Sequence, residues 1–114
     1  MINASFTYQK DEGIISLKVN GHAGMDDKGH DIICSAASIL TYTVAQYLQY
    51  VDKQGGLREK PEIDIKEGDA LIVAKPTEEY VGEVLNAFFV AEVGFSLLAH
   101  NYPQFVELKL LGEA

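Results

Sequence analysis

Between residues 14 and 22 the apolar side chains of Ile15, Leu17 and Val19 alternate with polar Ser16, Lys18 and Asn20. A period of two marks a strand with one buried face. Residues 2–9 are its predicted partner, and Asp11-Glu12-Gly13 supplies the turn of a hairpin. From about Ile33 to Val51 the period changes: Ile33, Ala36, Ala37, Leu40, Val44, Leu48 and Val51 share one helical face, opposite Tyr42, Gln46, Gln49 and Lys53. Asp31, just ahead, offers a carboxylate to the free amides of the first turn. Gln54-Gly55-Gly56 ends the helix, as glycine at a left-handed cap dictates.

Two short strands follow, over 61–66 and 69–75, joined by Glu67-Gly68-Asp69. Ile63 and Ile65 alternate on the first, and Leu71-Ile72-Val73-Ala74 is a buried run on the second. Pro76-Thr77-Glu78-Glu79 is predicted to open a second helix, with Thr77 as its cap and acidic residues in its first turn. That helix extends to about His100 and is apolar around much of its circumference, through Val81, Val84, Leu85, Phe88, Phe89, Val93, Leu97 and Leu98. It is a central element or a partner surface. Gly82 and Gly94 weaken helix propensity, so close packing is expected at both. Asn101-Tyr102-Pro103 stops the helix, and 104–111 forms a last strand with Val106, Leu108 and Leu110 on one face. The order ββαββαβ, without linker or repeat, predicts one α+β domain over 1–114, with a mostly antiparallel sheet and two long helices.

An apolar share of 47% and a charged share of 23% fit a globular domain rather than a disordered chain. Nine basic against seventeen acidic side chains give a net charge of −8. Direct contact with nucleic acid is therefore not expected, because it needs clustered Lys and Arg. A basic partner is favoured instead. No apolar run is expected to reach the roughly 20 residues of a membrane span, and Met1-Ile2-Asn3-Ala4-Ser5-Phe6 lacks the basic start of a signal peptide. The single cysteine cannot form an internal disulfide, which suits a reducing compartment; a cytoplasmic location is expected.

That cysteine carries the candidate chemistry. Cys34 lies where the loop 23–31, with two glycines and two adjacent aspartates, enters the first helix; His22 closes the preceding strand. A thiol in a first helical turn gains from the helix dipole, and a nearby imidazole can act as its base. The amides of Cys34 and Ser35 are candidate oxyanion donors. Asp31 either orients His22 or only caps the helix. His30 is a competing base. A cysteine in this position also serves simply as a small core residue. His22, Asp26, Asp27, His30 and Cys34 could ligate a metal, but no second Cys/His pair completes a structural zinc site, so no metal is expected. Gly21-His22-Ala23-Gly24 has neither the lysine of a P-loop nor the spacing of a dinucleotide fingerprint, and no cofactor is expected. His100, at the end of the second helix, is accounted for by the dipole alone.

Gly21-His22-Ala23-Gly24, six residues from Met25 to His30, then Asp31-Ile32-Ile33-Cys34-Ser35-Ala36-Ala37-Ser38 resembles the signature of the ribosomal-processing cysteine protease family, Prp. The resemblance extends to length, element order and acidity along nearly the whole chain. It implies a cysteine endopeptidase that removes the N-terminal extension of a large-subunit ribosomal protein precursor. Carried onto this chain, Cys34 is the nucleophile, His22 the general base and acid, and Asp31 the acidic residue of the signature. The loop with Gly21, Ala23, Gly24, Gly29 and His30 would cover the substrate peptide, and the protein would form a homodimer. Two other functions remain open on the residues alone: a non-catalytic ribosome-assembly module holding a basic ribosomal protein tail, and a small-molecule thiol hydrolase using the same dyad.

Overall fold

The computed structural model describes residues 1–23 and 31–113. Among them are five strands and two helices: β1 (Ile2–Gln9), β2 (Ile14–Asn20), α1 (Ile32–Lys53), β3 (Glu62–Lys66), β4 (Asp69–Ala74), α2 (Val81–Asn101) and β5 (Val106–Glu113). The order is ββαββαβ, as the periodicities predict. The sheet runs β3-β4-β2-β1-β5. Its first three neighbour pairs are antiparallel, and β5 lies parallel to β1 at one edge, so the α+β sheet is mixed.

The alternation in β1, β2 and β4 sends Ile2, Ala4, Phe6, Ile15, Leu17, Ala70, Ile72 and Ala74 to one buried face. Both helices add to the same core, α1 through Ile33, Ala37, Val44, Leu48 and Val51, α2 through Val84, Phe88, Ala91 and Phe95. Fully burying a large apolar side chain stabilises by about 1.5–3 kcal/mol relative to exposure. Phe95 is completely buried and meets Phe6 edge-on, with ring centroids 5.9 Å apart. Asp31 caps α1: its Oδ1 accepts from the N–H groups of Ile33 and Cys34, both at 3.0 Å. The other end closes as expected, with Gly55 at φ +77° and the Gly56 N–H bonded to Val51 O at 2.9 Å.

Four details differ from the sequence expectations. β2 ends at Asn20, which leaves Gly21 and His22 beyond the paired strand. α2 starts at Val81, and its N-cap Tyr80 makes no side-chain cap bond. Thr77 instead joins the preceding turn: its N–H donates to Gly56 O, and its carbonyl accepts from the Tyr80 N–H. Close packing holds at Gly94, where a Cβ would lie 2.6 Å from Leu40 Cδ2, but fails at Gly82, which faces open space. Finally, α2, with mean hydropathy 1.6 over its most apolar stretch, is long and apolar enough to cross a bilayer by length and composition, contrary to the expectation of no such run. Its apolarity serves the core on one side, while Phe89, Val90, Val93 and Leu97 are exposed on the other.

Candidate active site

Cys34 occupies the first turn of α1, three residues after the cap, and is half-buried. Its Sγ accepts a hydrogen bond from the Ala23 N–H at 3.5 Å, tying the helix start to the segment that leaves β2. His22, one residue earlier, is exposed. The backbone there is fixed from two sides. The Gly21 N–H donates to Gly68 O at 2.9 Å, and the Met1 amine donates to His22 O. Gly21 adopts φ +96°, and a Cβ there would run into the Met1 carbonyl, so glycine is required.

His22, Asp31 and Cys34 all open into one cleft of about 970 Å³ between the start of α1 and the β3–β4 turn. Ile39 and Tyr42, exposed apolar side chains of α1, extend its wall beyond the thiol. The cleft therefore brings together the sequence-predicted nucleophile, base and acidic residue. Gly24, Gly29 and His30 of the expected covering loop, and Asp26 and Asp27 of the weighed metal set, lie outside the described residues. Gly21 and Ala23 are described, and Ala23 is buried. His100 sits exposed in the last turn of α2.

Two expectations about the thiol need correction. Burial pushes the Cys34 thiol above its ordinary acidity range; the hydrogen bond and negative charge of Asp31 push the same way. The Ala23 N–H and the N-terminal amine pull against them without prevailing. The resting sulfur is thus a thiol at neutral pH, not the dipole-stabilised thiolate expected from its place in the helix. The oxyanion donors are also already committed. The Cys34 N–H is held by the Asp31 carboxylate, and the Ser35 N–H by the Asp31 carbonyl at 3.2 Å. Neither is free in this structure for a developing oxyanion. One site residue is missing from the sequence reading: Gly68, read there only as a turn. A Cβ on it would lie 2.5 Å from His22 Nε2 and 3.0 Å from Cε1.

A half-buried thiol at a helix start, sharing a cleft with a histidine on an α+β domain, has the parts of a cysteine enzyme. The chain belongs to the cysteine protease Prp family, whose model matches residues 1–107. No curated protein sequence matches it. Among solved structures it is similar to the essential ribosomal processing protease Prp from S. aureus with a covalently linked product peptide. That likeness has 20% identity and a TM-score of 0.69, over 96% of this chain and 99% of the other. The same S. aureus protease with a substrate peptide gives 19% identity and a TM-score of 0.65 over the same shares. SMU.848 from Streptococcus mutans is 27% identical, with a TM-score of 0.66 over 96% of this chain and 93% of that one. These likenesses describe the fold; the family match gives the enzyme class, a cysteine protease.

Proposed function

We propose that the chain is an endopeptidase that removes the N-terminal extension of a large-subunit ribosomal protein precursor, with Cys34 as nucleophile and His22 as general base and acid. The observation that carries the reading is the shared cleft of His22 and Cys34, joined through the Ala23–Cys34 bond. Family membership and the peptide-bound S. aureus processing protease support it. A cleft open along α1 past Ile39 and Tyr42 suits an extended peptide more than a small molecule.

Because the resting thiol is neutral, His22 must take its proton as sulfur attacks the scissile carbonyl. The tetrahedral intermediate collapses, His22 protonates the leaving amine, and water hydrolyses the Cys34 thioester with His22 again as base. The net charge of −8 favours encounter with a basic ribosomal protein. In this reading the enzyme works in the cytoplasm as a homodimer, and the exposed Phe89, Val90, Val93 and Leu97 of α2 support an apolar interface. Sedimentation of the native chain against Val93→Glu tests the dimer: a shift to monomer is expected, and unchanged sedimentation of a native monomer contradicts it. The function itself is tested by cleavage of a peptide spanning the extension junction, with Cys34→Ala as the control.

A further inference from the structure

We propose that Gly68, in the turn between β3 and β4, is the positioning residue that sets where the His22 imidazole sits in the cleft it shares with Cys34. The inference rests on His22 acting as the base and names what holds it. His22 lies beyond the last paired residue of β2, Asn20, and its side chain is exposed, so neither strand pairing nor burial fixes the ring. The β3–β4 turn does. It is bonded to the end of β2 through Gly21 N–H and Gly68 O at 2.9 Å. Its glycine lies so close under the ring that a Cβ would stand 2.5 Å from Nε2, 3.0 Å from Cε1 and 3.3 Å from Cδ2. A side chain there forces a shift, which the exposed imidazole at the end of its side chain takes more cheaply than the hydrogen-bonded turn. Gly68 also adopts φ +74°, which favours glycine independently. The titratable groups sharing the cleft with the ring are Asp31 at the cap of α1, Cys34 and Tyr42 on α1, and Lys66, Glu67 and Asp69 from the hairpin. A shifted ring changes its placement relative to the thiol and to these charged groups.

A natural control separates this contact from backbone strain. Gly55 has φ +77°, yet a Cβ there meets nothing within 4 Å. Gly55→Ala therefore measures the strain alone, and Gly68→Ala the strain plus the displaced ring. Gly68→Asn presents the same Cβ in a residue that tolerates positive φ, and serves if the alanine variant folds poorly.

The experiment compares Gly68→Ala, Gly68→Asn, Gly55→Ala and His22→Ala by thermal unfolding, iodoacetamide alkylation of Cys34 against pH, and the NMR titration of the His22 Hε1 resonance. Gly68→Ala is expected to unfold no more readily than Gly55→Ala. It should nevertheless alkylate about tenfold more slowly near neutral pH, where the still-protonated thiol depends on the His22 base. Its Hε1 resonance should move, and in a His22→Ala background Gly68→Ala should add nothing. A native rate with an unmoved resonance overturns the proposal, as does a slowing that persists without His22. If His22→Ala alone alkylates at the native rate, the base reading fails. The resonance then still decides whether Gly68 seats the ring: a moved signal upholds the contact and an unmoved one rejects it.

Discussion

The Ala23 N–H donates to Cys34 Sγ at 3.5 Å, so the residue that follows the candidate base is bonded to the candidate nucleophile. A strand end and a helix start from opposite sides of residues 24–30 are thereby held together at the cleft. A sulfur that accepts a hydrogen bond is favoured as thiolate. Here burial and Asp31 outweigh that gain, and the resting group keeps its proton.

The raised pKa of Cys34 has two consequences of known sign. Iodoacetamide alkylation of Cys34 in the native chain should be slow near neutral pH and reach half its maximal rate above the ordinary thiol value of about 8.5. The folded chain also holds this proton more tightly than the unfolded one. The associated stability is complete below the unfolded value and is lost as pH rises through the folded value. Alkylation kinetics followed by mass spectrometry check the first, and denaturant melts on the alkaline side check the second.

Asp31 can be divided into its cap and its charge. Asp31→Ala removes the acceptor for the Ile33 and Cys34 amides and should cost about 0.5–2 kcal/mol, read from urea melts. Asp31→Asn keeps an equally good cap but removes the negative charge beside the thiol. It should leave stability nearly unchanged and speed alkylation of Cys34 near neutral pH. Cleavage should stay within about tenfold of native. A fall of about a hundredfold or more in cleavage, with stability intact, would instead assign Asp31 to orienting His22.

The two glycines of α2 should respond in opposite directions. Gly82 faces open space, so Gly82→Ala should stabilise by about 0.5–1 kcal/mol through helix propensity. Gly94→Ala forces a methyl to within 2.6 Å of Leu40 Cδ2 in the contact between the helices and should destabilise by about 1–3 kcal/mol. Calorimetric melting of the pair checks both signs.

Phe95→Ala should be the most damaging of these substitutions, at about 3–5 kcal/mol by denaturant melts. The ring is fully buried and loses its edge contact with Phe6.

Wherever local chemistry decided the outcome, it was legible in the residues. The alternation of Ile15 and Leu17 marked the buried face of β2, Asp31 marked the start of α1, and Gly55 marked its end. Features set by distant parts of the chain were hidden. Nothing in 104–111 signals that β5 runs parallel beside β1, because pairing is decided between segments about a hundred residues apart. Thr77 has the chemistry of a cap, but Gly56 O claims its N–H and α2 starts later. At the site, residue type and spacing left a packing role for Cys34 open, and it was the resemblance to a family signature that grouped His22, Asp31 and Cys34, which the structure places in one cleft. The seat under His22 was not legible, since a turn glycine looks the same whether or not a ring lies over it. The thiol's acidity was misjudged for a related reason. The carboxylate that caps the helix also presents its charge to the sulfur, and burial adds to it.

The most direct test of the central claim is mass-spectrometric analysis of a peptide spanning the ribosomal protein's extension junction, incubated with the native chain, with Cys34→Ala and with His22→Ala. Cleavage at a single bond by the native chain, none by Cys34→Ala and a large loss in His22→Ala is the expected result, with all three chains folded by circular dichroism. Undiminished cleavage by folded Cys34→Ala would contradict the account.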